Sequence, residues 1–135
     1  MGVIVEILAA VFYLVLDLWP WGSDRRHDRR LLRGGRARCG IRSVTGRVLD
    51  VGTEWSTGIC TISTGRIRFT PRVGIVGDRD IEVLEVLGSD VVPDRDMDLG
   101  GIPTATYVIR TAHGDLLWVL PAHVAEQASG LLFVA

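Results

Sequence analysis

The acidic triplet Asp94, Asp96 and Asp98 has side chains and a spacing that could bind a metal ion. Alternate aspartates open the calcium-binding loop of an EF-hand, which also needs glycine at its sixth position and glutamate at its twelfth. Leu99 and Ala105 occupy those two positions here, and no helix is predicted before the triplet. We therefore predict an exposed acidic loop and no metal site.

Cysteine and histidine are the other residues that could act as nucleophiles, bases or ligands. Cys39 and Cys60 are too few for a disulfide framework, so we predict reduced thiols that pack as small apolar side chains. His27 and His113 are expected to be exposed, and His123 is expected on the polar side of a C-terminal helix. No histidine lies near a cysteine in sequence, although their proximity in space stays open. We predict no catalytic residue, no cofactor and no small-molecule substrate.

The formal net charge of −1 hides two regions of opposite charge. Residues 25–47 carry nine arginines and one acid, whereas residues 48–135 carry six arginines and twelve acids. A basic collar is therefore followed by an acidic domain. Because the collar has no interleaved aromatic residues, we expect no nucleic-acid partner.

The element that positions the collar is the apolar stretch Val3–Trp21. As a helix this stretch would be about 28 Å long, close to the thickness of the bilayer hydrocarbon. The alternatives are a signal peptide and a buried soluble helix. A signal peptide is disfavoured because no basic region precedes the stretch and no small-residue cleavage site follows it. Arginines flank only its C-terminal side, which predicts a single-pass cell-membrane protein with its N-terminus outside and its C-terminal domain in the cytoplasm.

Within this predicted anchor, Glu6, Ala10, Tyr13 and Asp17 fall on one side of the helical wheel. Ionisable groups inside a membrane usually face protein, and small residues permit close helix approach. The stripe therefore predicts a docking face for a membrane protein partner. The alternative is that both acids extend toward the nearest membrane surface.

The collar places Arg25, Arg26, Arg29 and Arg30 within Ser23–Gly35, a polar segment closed by two glycines. This composition is typical of a linker or of a short interfacial helix. Its arginines could attract anionic lipid headgroups, at roughly 1 kcal/mol each near the surface. The alternative is that they act only as the topology signal.

Alternation of apolar and polar residues predicts six strands, at 37–42, 55–63, 66–73, 81–87, 104–111 and 115–120. A helix is the alternative for Ile81–Leu87. Pro121 is predicted in the first turn of a C-terminal helix whose apolar stripe consists of Val124, Ala128, Leu131 and Leu132.

A second basic surface is predicted on the strand at 66–73, where Arg66 and Arg68 share one face. They could form an anionic lipid or phosphate surface together with Arg38, Arg42 and Arg72. The alternative is an ordinary solvated sheet face.

A resemblance to pleckstrin-homology-like (PH-like) domains is carried by the segments ARCGIR, EWSTGICTISTGRIRFTP, DIEVLEV and ATYVIRTAHGDLLWVLPAHVAEQASGLL. Their spacing resembles an actinobacterial family of unknown function that combines a single membrane span, a basic collar and a PH-like (GRAM-like) domain. Phosphoinositide-binding PH domains usually concentrate basic residues in their first hairpin loop. Here Gly46–Glu54 holds only Arg47 against Asp50 and Glu54.

The expected architecture is an N-terminal transmembrane helix followed by a mainly-β PH-like domain. The resemblance implies a bent antiparallel sheet or partly open barrel of about six or seven strands with a C-terminal helix. The expected units are an anchor at 1–22, a basic juxtamembrane linker at 23–35 and the domain at 36–135. We predict a non-enzymatic, membrane-anchored interaction or scaffold module that docks to a membrane protein complex at the cytoplasmic face. The alternative is an anionic-lipid-binding PH-like domain.

Overall fold

The computed structural model of the chain describes residues 20–89, 99 and 101–133. Seven strands and a C-terminal helix confirm the mainly-β architecture that the alternating sequence predicts. The elements are α1 Pro20–Arg33, β1 Arg36–Ser43, β2 Ser56–Ser63, β3 Arg66–Val73, β4 Arg79–Glu82, β5 Glu85–Ser89, β6 Thr104–Thr111, β7 Gly114–Pro121, α2 Ala122–Gly130 and a 3-10 turn Leu131–Phe133.

The seven strands form one antiparallel sheet in the order β4-β3-β2-β1-β7-β6-β5. The sheet curls into a half-barrel, so that one face becomes the inside of the domain. Successive side chains of a strand point to opposite faces of the sheet. In β3, Ile67 and Phe69 point inward and are fully buried, whereas Arg66 and Arg68 on the other face are exposed. The predicted apolar and basic faces of this strand are therefore confirmed.

The prediction of one continuous strand over Ile81–Leu87 is wrong, because the chain forms two short strands there. The N–H of Val83 donates to the Gly65 carbonyl at 2.9 Å, next to β3, and the N–H of Leu84 donates to the Arg110 carbonyl at 2.8 Å, on β6. The break lies where the chain stops pairing with β3 and begins to pair with β6. The two short strands, β4 and β5, are thus the two edge strands of the curled sheet.

Trp118 lies at the centre of the interior, fully buried, with its ring centroid 6.0 Å from that of Tyr107 on the neighbouring strand. Cys39 and Cys60 are free, buried thiols in this interior, as predicted. A second, smaller apolar cluster covers the outer face of β7, where Val119 packs with Leu99 and Ile102.

The C-terminal helix and the 3-10 turn after it close one end of the interior. Val124, Ala128 and Leu132 are buried as predicted, and Leu131 is partly buried. The prediction that Pro121 lies in the first turn of this helix is wrong. Pro121 is the last residue of β7 and the N-cap of α2, since its ψ of 131° is still extended. The Leu132 carbonyl accepts a hydrogen bond from the Gly65 N–H at 2.9 Å, which attaches the chain end to the β2–β3 turn.

The segment Ser23–Gly35 was predicted to be a linker or a short helix. The structure shows a helix there, α1, which ends at Arg33. Within the described residues, no helix is long and apolar enough to span a membrane. The predicted stripe of Glu6, Ala10, Tyr13 and Asp17 lies outside the described residues, as do Asp94, Asp96 and Asp98.

Candidate functional site

The inner side of α1 carries a buried carboxylate, that of Asp28, which is 1% exposed. Arg38 on β1 donates two hydrogen bonds to it, from Nε to Oδ1 at 2.6 Å and from Nη2 to Oδ2 at 2.9 Å. A third bond runs from Arg38 Nη1 to the Leu99 carbonyl at 3.1 Å. The planar guanidinium fits a carboxylate with two parallel bonds, so this pair neutralises a charge that α1 would otherwise bury alone.

Asp28 faces inward because of its place on the helix. Leu31 and Leu32 follow at three and four residues, which puts all three side chains on one side of α1. Leu31 is buried and Leu32 packs against the domain core. The apolar pair therefore brings the carboxylate against the sheet, opposite Arg38.

His123, in the first turn of α2, completes the cluster. Its Nε2 lies 2.9 Å from Asp28 Oδ2, although the ring makes no well-aligned hydrogen bond through that atom. Burial lowers the pKa of His123 from its ordinary value of 6.5. The positive charges of Arg25 and Arg38 lower this pKa further, whereas the negative charge of Asp28 raises it. The imidazole is therefore neutral at pH 7, and its contact with Asp28 is not an ion pair at that pH.

A pocket of about 270 Å³ opens beside this cluster, between α1, the start of α2 and the segment before β6. Of the described residues that line it, three are apolar and two carry or can acquire positive charge: Arg25, Ile102, Pro103, Ala122 and His123. Among the described residues, this lining holds no hydroxyl or thiol that His123 could activate. The arrangement is suited to holding an anion. We name it the α1–α2 pocket.

The outer side of α1 is strongly basic. Five arginines are exposed there, and no carboxylate of the described residues pairs with them: Arg25, Arg26, Arg29, Arg30 and Arg33. We call this surface the α1 basic face. His27 is exposed on the same helix, as predicted.

The predicted basic surface on β3 has a different electrostatic setting. Arg68 lies 3.2 Å from a carboxylate oxygen of Asp78 and 3.8 Å from one of Asp80. Arg66 stands opposite Glu82 in the β3–β4 register. Exposed ion pairs of this kind are individually weak, but three acids around two arginines leave this patch without net positive charge.

Two of the predicted partners of Arg66 and Arg68 have contacts of their own. Arg38 is held by Asp28, and Arg42 stacks on the Trp55 ring with its Cζ 5.2 Å from the ring centroid. Arg72 is exposed near the end of β3. A lipid-binding role for Arg66 and Arg68 stays a prediction.

The cluster of Asp28, Arg38 and His123 was not predicted from the sequence, where Asp28 was counted only as the one acid of the collar. One signal could have found it. Asp28 is the single acid among nine arginines over residues 25–47, and it precedes Leu31 and Leu32 at helical spacing.

Comparison with known proteins finds no matching family model, curated protein or solved structure. The function proposed for this chain is therefore argued from its own geometry.

Proposed function

We propose that this protein is a non-enzymatic binding module that sets the α1 basic face against an anionic membrane surface. One observation carries the proposal. Five exposed arginines lie on a helix whose opposite side is fixed to the β domain by Asp28 and Leu31. A basic surface held in this way gives the domain a defined orientation at the membrane.

The spacing of the arginines explains why they share one side. At 100° per residue, positions 25, 26, 29, 30 and 33 fall within an arc of about 140°. The inward-facing positions 28, 31 and 32 fall within a separate arc of about 100°. Sequence spacing and observed burial therefore agree on an amphipathic helix with a basic outer side.

The magnitudes favour α1 over β3 as the lipid-facing surface. Each arginine near an anionic membrane contributes roughly 1 kcal/mol, so several acting together are enough for a stable surface contact. On β3, Asp78, Asp80 and Glu82 oppose Arg66 and Arg68, and the same membrane would repel these acids. We propose that a membrane anchor at Val3–Trp21 would keep α1 within reach of the lipid. Docking of Glu6, Ala10, Tyr13 and Asp17 to a membrane protein remains a separate hypothesis.

The test uses the full chain in nanodiscs of phosphatidylcholine, with or without phosphatidylglycerol. A nitroxide at position 27, introduced as His27→Cys, reports the distance of α1 from the lipid. Cys39 and Cys60 are buried, so the label goes to the new thiol. We expect the label to approach the lipid only in discs that contain phosphatidylglycerol, and high salt to reverse this because the contact is electrostatic. A label at Val76, which is 90% exposed in the β3–β4 loop, gives the comparison value.

Two variants of equal charge change separate the basic surfaces. Arg26→Gln/Arg30→Gln should move the position-27 label away from anionic lipid, whereas Arg66→Gln/Arg68→Gln should leave it in place. If the label stays in water in the anionic discs, or if only the β3 variant displaces it, the proposal is wrong.

A further inference from the structure

We propose that the α1–α2 pocket binds a phosphate group, either that of a lipid headgroup or that of a free phosphate, between Arg25 and His123. The lipid form of this inference rests on the proposed function, because Arg25 belongs both to the α1 basic face and to the pocket lining. A headgroup entering beside Arg25 would thus reach the pocket from the membrane side of α1.

The charge of the pocket indicates an anionic occupant. Arg25 and His123 line it, and the acid beside them among the described residues, Asp28, is 1% exposed with both oxygens bound by Arg38. Arg38 therefore neutralises the charge of Asp28, whose Oδ2 also lies 2.9 Å from His123 Nε2. Ile102 and Pro103 form an apolar wall beside the two polar side chains.

The two polar side chains suit a phosphate group. An arginine binds a phosphate through two parallel N–H···O bonds, and the bound oxygens keep lone pairs that can accept a further bond from the imidazole. A carboxylate can pair with Arg25 in the same way, so acetate is the comparison that tests whether the pocket prefers phosphate. A volume of about 270 Å³ leaves room for the phosphate and part of its substituent.

Binding should depend on pH through His123. The charged groups that face its ring are Asp28 and Arg25 from α1 and Arg38 from β1, and burial with the two arginines holds its pKa below 6.5. An anion against the ring favours the protonated form, so the affinity should rise as the pH falls below 6.5. Dimethyl phosphate is the suitable probe for this effect, because a phosphodiester does not itself titrate in that range.

The experiment follows the ring signals of the histidines by NMR in the full chain in detergent micelles. Inorganic phosphate, dimethyl phosphate and acetate are added separately, and then phosphatidic acid in a nanodisc. We expect both phosphates and the lipid to shift the His123 signals and to raise the pKa of His123. His113 is exposed in the β6–β7 turn and serves as the internal control whose signals should not change.

Arg25→Gln should weaken dimethyl phosphate binding about tenfold or more, since it removes the bidentate contact. Arg47→Gln, an equal charge change on an exposed loop, should leave it unchanged. A His123 response to lipid but not to either soluble phosphate would assign the pocket to headgroups, and a response to the soluble phosphates alone would assign it to free phosphate. No response from His123, an equal response to acetate, or equal losses in both variants would overturn the inference.

The outcome is separable from that of the proposed function. If the position-27 label approaches anionic lipid while His123 responds to no phosphate, the pocket inference fails and the membrane proposal stands. If phosphate shifts His123 while the label stays in water, the membrane proposal fails and the pocket is a free-phosphate site.

Discussion

Arg38 holds the buried carboxylate of Asp28 through two hydrogen bonds of 2.6 and 2.9 Å. The same guanidinium reaches the Leu99 carbonyl at 3.1 Å. One side chain therefore connects α1, β1 and the segment that leads to β6. This connection makes α1 part of the folded domain, and it fixes the direction in which the α1 basic face points.

Removing the charge of Asp28 should destabilise the domain. Asp28→Asn breaks the ion pair with Arg38, in which the side chains are 1% and 17% exposed, and breaking a buried pair in this way costs about 3 kcal/mol. Glu85→Gln is the matched control, because the Glu85–Arg110 pair is about half exposed and its loss should cost less than about 1 kcal/mol. Denaturant unfolding of the full chain in micelles measures both values. Equal costs for the two substitutions would show that burial adds nothing to the Asp28 pair.

The stability of the domain should fall as the pH drops below about 6.5. Burial lowers the pKa of His123 in the native state, whereas the unfolded chain takes up a proton near the ordinary value of 6.5. Below that pH the unfolded state binds more protons, so protonation favours unfolding, and the stabilising contribution returns as the pH rises.

The measurement for His123 is the thermal unfolding midpoint between about pH 7.5 and 5.5. His123→Gln should flatten the dependence, whereas His113→Gln, in the exposed β6–β7 turn, should retain it. A dependence that survives in His123→Gln would assign the acid sensitivity to another group.

Two glycines should respond in opposite directions to alanine. A Cβ at Gly58 would clash with the Thr70 carbonyl oxygen and lie 2.8 Å from the Pro71 Cα, both backbone atoms of the paired strand β3. Gly58→Ala should therefore cost about 2 kcal/mol or more. Gly130, the last residue of α2, has open space around it, and Gly130→Ala should stabilise the helix by up to about 1 kcal/mol. Chemical denaturation of both variants checks the signs, and a neutral Gly58→Ala would contradict the close packing of β2 on β3.

Neither cysteine should react with a thiol reagent while the domain is folded. Cys39 and Cys60 are 0% exposed, and burial together with the neighbouring Cys60 raises the pKa of the Cys39 thiol well above its ordinary value. We expect labelling to follow the unfolding rate, with both thiols reacting at once in denaturant. Rapid labelling in native buffer would contradict the observed burial.

The strands could be predicted where the pattern that specifies them lies within their own sequence. Arg66–Val73 and Thr104–Thr111 were predicted with the bounds that the structure shows, because a half-buried strand alternates apolar and polar residues along its own length. The break within Ile81–Leu87 was not predictable, since it depends on the carbonyls of Gly65 in the β2–β3 turn and of Arg110 in β6. Nothing in the segment itself marks the point where it changes partners.

The candidate site was predictable only in part. The sequence identified Arg25, Arg26, Arg29 and Arg30 as a basic group, and their exposure in the structure agrees with that description. It did not identify Asp28 as buried, because one acid among arginines has the same composition whether it faces water or the sheet.

The strand-rich architecture, the C-terminal helix and the basic character of α1 could be predicted from the sequence, because periodicity and charge are properties of short segments. The meeting of Asp28, Arg38 and His123 beside a pocket could not be predicted. It depends on how α1 and α2 pack on β1, and that packing follows from contacts between residues far apart in the chain. The same packing decides which arginines pair with carboxylates and which remain exposed.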